Sequence, residues 1–425
     1  MNLSSLINLL QNHNIFLSGG AGVGKSYLTT QVIQEYEKNG KNVIPLGSTG
    51  ISAVNIGGYT LHSFFVFGIA KNIEELKSYD RRNKKRVNEL KKILKECDLI
   101  IIDEISMVSS SLMDMIFYRL FSLNYSGKIM VVGDFYQLPP VIKQSSNALF
   151  SEPVYAFESA SWSKFEFKSV VLKDVKRTNN KEFINILSKI REGICDSEVK
   201  AYLAKLKDAN INLDDEPTYL FGRNAEADSM NKQKLAKLNS DENFYYWSVD
   251  NIKNVNQKKL DSWAKNLPIN EILHLKVGAK VIFSVNAWGK FVNGQRGVVV
   301  DVDNEHIVVR SKGRDITVYP HDFELNELDS ETLESKVVAT ISQYPLKLAY
   351  AITIHKSQGM SLDSMVCNLD YLFAPSQLYV AVSRATNPDN LKIEYSRSDF
   401  NSYLSRVIVQ NDIVQNFYKG LEFED

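Results

Sequence analysis

The segment GGAGVGKS, at residues 19–26, could bind the phosphates of a nucleotide. It matches the G-x-x-x-x-G-K-[ST] pattern, in which glycines let backbone amides turn toward phosphate oxygens. The amine of Lys25 can reach the outer phosphates, and the hydroxyl of Ser26 can ligate Mg²⁺. The candidate nucleotide-binding residues are the whole loop and the start of the following segment: Gly19, Gly20, Ala21, Gly22, Val23, Gly24, Lys25, Ser26 and Tyr27.

Two acids, Asp103 and Glu104, close the apolar run DLIIIDE. The run predicts a strand that is buried on both faces, and an acid at the carboxyl end of a parallel strand lies on the ligand side of the sheet. We expect Asp103 to hold Mg²⁺ and Glu104 to act as the general base on the attacking water. A signalling GTPase would carry Gly where Ser106 stands, so the pattern counts against that class.

A glutamine follows the next apolar run, KIMVVG at residues 128–133. Gln137 lies in the segment GDFYQLPP, and its amide can donate to a γ-phosphate and accept from water. A plain turn rich in Asp and Pro has the same composition, so that alternative stays open.

Predicted strands and helices alternate around these residues. Strands are expected at residues 14–18, 42–46, 98–103 and 128–133, with a helix at residues 26–38, which indicates a parallel sheet covered on both sides. The same alternation returns with strands at residues 218–221, 348–353 and 364–368. Between these two parts, residues 277–320 form short alternating runs separated by Gly and Asn, which predict a small antiparallel barrel or meander.

The charge of the chain is balanced overall but uneven along it. Among 425 residues, 50 Lys and Arg offset 50 Asp and Glu, which argues against a protein that coats nucleic acid through bulk charge. Residues 66–97 carry ten basic residues against five acids, either as a solvated helix face or as a nucleic-acid contact. Three widely spaced cysteines predict free thiols in a reducing compartment, and no apolar run approaches the ~20 residues that span a membrane.

Six motifs occur in order along the chain: GGAGVGKS, STGISAVNIGGYTLHSF, IIIDEISM, GDFYQLPP, AYAITIHKSQGMSLD and LYVAVSRAT. In this order they resemble the motifs of the PIF-type superfamily-one DNA helicases, relatives of the RecD and Dda helicases. The resemblance implies an α/β fold with two tandem RecA-like P-loop domains, ATP and Mg²⁺ as cofactors, and 5′→3′ translocation on single-stranded DNA. It also implies unwinding of duplex DNA, and family members often unwind G-quadruplexes.

The resemblance assigns further site residues. Arg177 and Arg384 resemble the arginines that reach the γ-phosphate from the second domain, and Gln358 and Gly359 would lie near the nucleotide. The family's adenine-reading glutamine would fall near Asn2, so purine specificity stays open. The expected DNA contacts are Thr49, His62, Ser63, Phe64, Thr353, His355 and Lys356. For His62, a buried core position is the open alternative.

The resemblance also divides the chain. Residues 1–160 would form the first RecA-like domain, interrupted at 66–97 by a wedge subdomain, and residues 161–425 the second, interrupted at 270–338 by an SH3-like β-barrel. The expected partners are single-stranded and forked DNA, without a membrane. The protein is expected to be a cytoplasmic monomer of bacterial or viral type that associates with the nucleoid when it works. Replication, repair and recombination are the expected settings.

Two other functions stay open at this point. One is a DNA-stimulated translocase or remodeler that does not separate strands. The other is a non-catalytic ATP-binding subunit of a recombination complex. RNA is a further substrate that backbone tracking with base stacking would tolerate.

Overall fold

The computed structural model describes residues 2–68, 70–140, 153–209, 217–250, 252–253, 255–265, 267–285, 287, 290–291, 293–303, 305–328 and 335–424. Parts of the predicted barrel segment, at residues 286, 288–289, 292, 304 and 329–334, lie outside these ranges. The chain divides into two compact units. The first comprises Met1–Asp174, Asn326–Lys336 and Asp412–Asp425, and the second Val175–Leu325 and Val337–Asn411.

Strands occur along the whole described chain. They are β1 (Ile15–Gly19), β2 (Val43–Gly47), β3 (Tyr59–Thr60), β4 (Leu99–Asp103), β5 (Lys128–Gly133), β6 (Lys168–Leu172), β7 (Thr218–Phe221), β8 (Asn243–Tyr246), β9 (Ser248–Asp250), β10 (Ile272–Leu275), β11 (Lys280–Phe283), β12 (Arg296–Val302), β13 (Ile307–Ser311), β14 (Arg314–Val318), β15 (His321–Leu328), β16 (Ser335–Gln343), β17 (Leu346–Leu348), β18 (Ala351–Thr353), β19 (Met365–Asn368), β20 (Leu391–Glu394) and β21 (Phe423–Glu424).

Helices connect many of these strands. They are α1 (Leu3–Asn12), α2 (Lys25–Lys38), α3 (Gly50–Ile56), α4 (Leu61–Phe64), α5 (Ile73–Arg82), α6 (Lys84–Glu96), α7 (Ser110–Ser122), α8 (Lys181–Arg191), α9 (Ser197–Asp208), α10 (Asn224–Ala236), α11 (Gln257–Ala264), α12 (Gln377–Val382), α13 (Phe400–Val407) and α14 (Asp412–Lys419). Among the described residues, none of these helices combines the length and the apolar character that crossing a membrane requires.

The first unit is built on a parallel sheet with the strand order β21-β6-β1-β5-β4-β2-β3. Its central strands β1, β4 and β5 are largely apolar because helices cover both faces of the sheet. In β1, Ile15 and Leu17 pack with α1 and α2, whereas Phe16 packs on the other face with Met113 and Ile116 of α7. This pattern follows from the alternation of side chains along a strand. The predicted parallel α/β sheet is therefore confirmed.

The sheet continues beyond the predicted domain boundary at residue 160. Strand β6 pairs in parallel with β1 along its whole length, with Ile15 opposite Lys168 and Gly19 opposite Leu172. The carboxyl ends of β1, β2, β4, β5 and β6 therefore meet at one edge of the sheet, since parallel strands run in the same direction.

The second unit contains a smaller parallel sheet with the order β18-β7-β19-β20 and a separate antiparallel sheet with the order β14-β13-β12-β11-β17. The antiparallel pattern predicted within residues 277–320 is thus observed. The single strand predicted at residues 348–353 is wrong in one respect. Leu348 ends β17, which pairs with β11, and Ala351 begins β18, which pairs with β7. One apolar run therefore contributes strands to two sheets, because β11 covers one part of it and β7 the other.

Residues 66–97 contain the helix pair α5 and α6, which are joined at Asn83. Leu76, Leu90 and Leu94 are buried in the core of the first unit. A two-point ion pair fixes the insert to α7, because Arg119 Nη1 and Nη2 donate to the two carboxylate oxygens of Asp80 at 2.7 and 2.9 Å. The basic residues around the junction are exposed: Arg81, Arg82, Lys84, Lys85 and Arg86.

Candidate functional site

The loop between β1 and α2 has a backbone that only glycine accommodates readily at three points. Gly19, Gly22 and Gly24 have φ angles of 149°, 78° and 90°, and a Cβ atom on Gly19 would lie 2.6 Å from the carbonyl oxygen of Leu172. Gly24 is the N-cap of α2, so it offers no side chain to the first helical amides. The loop therefore presents the positive end of a 14-residue helix at the carboxyl edge of the sheet.

Lys25 points back over this loop. Its Nζ donates to the carbonyl oxygens of Gly19 at 2.7 Å and Gly20 at 3.0 Å. Ser26 and Tyr27 follow on the exposed side of the first turn. The predicted strand–loop–helix context of residues 19–27 is thus observed, with the amine held over the loop and the Ser26 hydroxyl accessible.

Asp103 and Glu104 lie at the same edge of the sheet. Asp103 is 9% exposed, and Oδ1 accepts a 2.9 Å hydrogen bond from the backbone N–H of Glu104. Burial, and secondly the neighbouring Glu104 carboxylate, raise the pKa of Asp103, while the positive charge of Lys25 lowers it. Lys25 is therefore close enough to act on this carboxyl electrostatically. Glu104 itself adopts a left-handed backbone, with φ 54° and ψ 49°, a conformation that is uncommon for residues other than glycine.

Gln137 lies in the loop after β5 and is 5% exposed. Its N–H donates to the carbonyl oxygen of Asp134 at 2.9 Å, which closes the turn, and its Nε2 lies 3.5 Å from Asp134 Oδ2. Gly133 lets this loop approach the Asp103 loop, because a Cβ there would lie 3.0 Å from the backbone nitrogen of Ile105. The sheet edge thus brings together the phosphate loop, the paired acids and the glutamine segment.

Arg177 and Arg384 lie together in the second unit. Arg177 donates from Nη1 to the carbonyl oxygen of Ser383 at 2.6 Å and from Nε to Ser361 Oγ at 2.9 Å. Arg384 is 2% exposed and donates from Nη2 to Ser383 Oγ at 3.0 Å. Burial, and secondly the positive charge of Arg384, lower the pKa of Arg177 to about 9. Gln358 is buried, and Gly359 has a φ of 79° in the adjoining TIHKSQG segment.

The DNA contacts predicted for the first unit differ in accessibility. His62 and Ser63 are exposed on α4, so the buried alternative for His62 is not observed. Thr49 is the N-cap of α3, and its hydroxyl accepts a 3.1 Å bond from the N–H of Ser52. Phe64 is 7% exposed and packs against neighbouring aromatic rings, so its face is taken by the core and is not available to a base.

Asn2, at the position where the family's adenine-reading residue was expected, has a local role. It is the N-cap of α1, and its Oδ1 accepts a 3.0 Å hydrogen bond from the N–H of Ser5. A capping side chain satisfies one of the unpaired amides at the helix start.

The DNA contacts predicted for the second unit line one cavity of about 340 Å³. The imidazole of His355 lies parallel to the ring of Phe373, with centroids 6.1 Å apart and an interplanar angle of 13°. Burial lowers the pKa of His355, which favours the neutral ring. The cavity is lined by Gly222, Arg223, Asn224, Thr353, His355, Lys356 and Phe373.

Aromatic and basic side chains beyond the predicted motifs complete this cavity. Phe373 is 62% exposed, and the guanidinium of Arg223 lies 5.1 Å from the ring centroid of Tyr371, which is also exposed. Burial, and secondly the positive charge of Lys356, lower the pKa of Lys347 to about 8. The amine of Lys347 is therefore within electrostatic range of Lys356. Sequence motifs missed Arg223 and Phe373 because these residues lie outside the TIHKSQG segment. Only a general signal, exposed aromatic and basic residues after predicted strands, could have indicated them.

Comparison with known proteins places these features in a family. The PIF1-like helicase family matches residues 3–201, and a second helicase family matches residues 306–415. The chain is 43% identical to the ATP-dependent DNA helicase Pif1 of Campylobacter jejuni, over 99% of this chain and 97% of that protein.

Solved structures give the same result for the fold. The crystal structure of a Bacteroides Pif1 in complex with ADP-AlF4 aligns with a TM-score of 0.83 at 29% identity, over 98% of this chain and 95% of the other. A Bacteroides Pif1 bound to single-stranded DNA aligns with a TM-score of 0.68 at 29% identity, with the same coverage. The chain belongs to the PIF1-like helicase family.

Proposed function

We propose that this protein is an ATP-dependent DNA helicase that moves 5′→3′ on single-stranded DNA and unwinds duplex DNA. The observation that carries the proposal is the meeting of three elements at one sheet edge: the loop under Lys25, the Asp103–Glu104 pair, and the Gln137 segment. This arrangement suits hydrolysis of a nucleoside triphosphate. The names of the relatives, ATP-dependent DNA helicases, support ATP as the nucleotide and DNA as the track.

The first unit would bind the triphosphate and activate water. Backbone amides of residues 19–24 and the amine of Lys25 would surround the phosphates. A carboxylate and a hydroxyl are the hard oxygen donors that Mg²⁺ prefers, so Asp103 and Ser26 would hold that ion, which offsets the charge of the phosphates. Glu104 would accept a proton from the attacking water, and Gln137 would orient that water against the γ-phosphate.

Arg177 and Arg384 would stabilise the negative charge that develops on the transferred phosphoryl group. Guanidinium groups suit this role because their forked donors match phosphate oxygens. The shared position beside Ser383 supports the proposal, since two neighbouring positive charges, one of them buried, favour an anionic partner. Gln358 and Gly359 follow the proposed DNA-facing residues Thr353, His355 and Lys356 in the TIHKSQG segment, and would link nucleotide state to that segment.

Single-stranded DNA would bind through stacking and backbone charge. In the second unit, His355 and Phe373 would hold a base between them or beside them, while Lys356 and Arg223 would contact phosphates. Thr353 would contribute its backbone or hydroxyl at the floor of the cavity. In the first unit, exposed His62 and Ser63 are the accessible candidates, and Thr49 would contribute through the α3 N-terminus that it caps.

The domain organisation would follow from these roles. The two parallel sheets would be RecA-like domains, the antiparallel sheet in residues 270–338 would be an SH3-like barrel, and residues 66–97 would be the wedge. The exposed basic residues at the α5–α6 junction support the wedge, because a separating element must meet DNA phosphates at a fork. The same feature favours a helicase over a translocase or remodeler, which needs no such element. An intact Lys25–Asp103–Glu104 arrangement argues against a non-catalytic subunit.

Unwinding of forked duplexes tests the proposal directly. A duplex with a 5′ single-stranded tail should be separated in the presence of ATP and Mg²⁺, while the same duplex with only a 3′ tail should remain intact. ATP hydrolysis without separation of either substrate would favour the translocase. Absence of both activities with DNA present would leave the non-catalytic subunit, and separation of the 3′-tailed duplex alone would reverse the proposed direction.

A further inference from the structure

Tyr418 connects the phosphate-loop strand to the glutamine segment. It lies in α14, 284 residues after Asp134. Its hydroxyl donates to Asp134 Oδ1 at 3.3 Å and accepts from the backbone N–H of Phe135 at 3.1 Å. Ser18 Oγ lies 2.8 Å from the same hydroxyl. Because a tyrosine has one hydroxyl hydrogen, Ser18 is the donor when Tyr418 donates to Asp134.

Aromatic packing holds this hydroxyl in place. The ring of Tyr418 stacks on Tyr136, with centroids 4.6 Å apart and an interplanar angle of 11°. The adjacent Phe417 stacks on Phe157 at 4.1 Å and contacts Phe16 of β1 at 6.0 Å. Stacked pairs of this kind stabilise beyond the apolar area that they bury. Ring contacts of both Phe417 and Tyr418 therefore anchor the end of α14.

The hydroxyl acts on groups that border the proposed reaction. Ser18 immediately precedes Gly19, where the phosphate loop begins. Asp134 is fully buried, and its carboxylate also accepts from the N–H of Tyr136 at 3.2 Å and lies 3.5 Å from the side-chain amide of Gln137. A change at Tyr418 would thus alter the support of Gln137 without touching any residue that we assign to nucleotide contact.

We propose that Tyr418 is a positioning residue for ATP hydrolysis, which holds the Asp134–Gln137 turn at a fixed distance from the phosphate-loop strand. The proposal rests on the proposed function, since it requires that Gln137 orients the attacking water. A displacement of about 1 Å in a catalytic group can reduce a rate by about 10²-fold. The C-terminal helix therefore completes the nucleotide site from a distant part of the sequence.

A pair of Tyr→Phe variants separates this role from general stability. Tyr418→Phe removes the hydroxyl and keeps the stacked ring, and Tyr125→Phe makes the same change in the same unit, where that hydroxyl donates to the carbonyl oxygen of Lys128 at 2.8 Å. In Tyr418→Phe, the kcat of DNA-stimulated ATP hydrolysis should fall by about tenfold, with the KM for ATP within about twofold, because placement and not binding is lost. Tyr125→Phe should retain the wild-type kcat, and melting temperatures should show that both variants fold.

A double-mutant cycle with Gln137→Ala tests the route of the effect. If Tyr418 acts through Gln137, the double variant should hydrolyse ATP no more slowly than Gln137→Ala alone. The positioning role would be overturned if the fold-reductions in kcat of the two single variants multiply in the double variant. A wild-type kcat in folded Tyr418→Phe would also overturn it, and either result would leave the helicase proposal intact. A wild-type protein that hydrolyses no ATP with DNA present would instead overturn the proposed function, and the positioning role with it.

Discussion

Arg177 and Arg384 both donate hydrogen bonds to Ser383, one to its backbone and the other to its side chain. Arg177 donates to its carbonyl oxygen at 2.6 Å across 206 residues of sequence, and Arg384 donates to its hydroxyl at 3.0 Å. The two guanidinium groups repel each other, and burial together with this repulsion lowers the pKa of Arg177. The pair is therefore an electrostatically costly arrangement that an anion would stabilise.

Replacing Arg177 by Ala should reduce the kcat of DNA-stimulated ATP hydrolysis by about a thousandfold, which is within the range for an arginine that stabilises a transferred phosphoryl group. The melting temperature should change little, because relief of the repulsion by Arg384 offsets the loss of the hydrogen bonds to Ser361 and Ser383. Arg406→Ala is the matched control, since this exposed arginine pairs with Asp399 at 2.6 Å elsewhere in the second unit. Equal kcat values for the two variants would contradict the proposed role of Arg177.

Glu104→Gln should lower ATP turnover by about 10²–10⁴-fold, because the amide cannot accept a proton as a general base does. Nucleotide affinity should remain close to the wild-type value, since the phosphate loop and Lys25 are unchanged. Lys25→Ala should instead weaken the binding of the nucleotide or of the transition state. Single-turnover hydrolysis and binding of a fluorescent ATP analogue measure the two effects, and wild-type turnover in Glu104→Gln would exclude this residue as the base.

The sequence predicted the parts of the site whose chemistry is local. The loop at residues 19–26 and the acids after β4 are recognisable because each motif carries its own strand or helix. Tyr418 was missed because its contacts with Ser18 and Asp134 cross most of the chain, and its own helix contains no motif. The accessibility of Phe64 was likewise unreadable, since an aromatic residue in a motif can face either DNA or the core. Packing decides between them.

Phe373→Ala should weaken the binding of single-stranded DNA by about 5- to 150-fold, because loss of one base-stacking ring costs about 1–3 kcal/mol. The ring is 62% exposed beside His355, so its removal should leave the melting temperature nearly unchanged. Phe244→Ala removes another exposed ring in the second unit, one that packs against His274. Fluorescence anisotropy with a labelled oligonucleotide compares the variants, and equal affinities would remove Phe373 from the DNA path.

Two sets of exposed lysines and arginines on α6 allow a matched test of the wedge. Lys84, Lys85 and Arg86 lie next to the α5–α6 junction, and Lys91, Lys92 and Lys95 lie further along the same helix. Replacing the first set by Gln should impair unwinding of a 5′-tailed fork, while ATP hydrolysis with saturating single-stranded DNA should persist. Replacing the second set by Gln removes the same charge and changes helix propensity equally little. That variant should therefore unwind the fork nearly as the wild type does.

The salt dependence of binding decides whether the junction contacts DNA at the fork. Each phosphate contact releases counterions, so loss of three contacts should flatten the plot of log affinity for forked DNA against log salt by about 2–3 units of slope. That change should appear for the Lys84, Lys85 and Arg86 variant alone. The Asp80–Arg119 ion pair and buried Leu90 hold the insert in either variant, so unfolding should not account for a difference. If both variants unwind forks normally with the wild-type salt slope, the junction is a solvated helix end, and another segment must separate the strands.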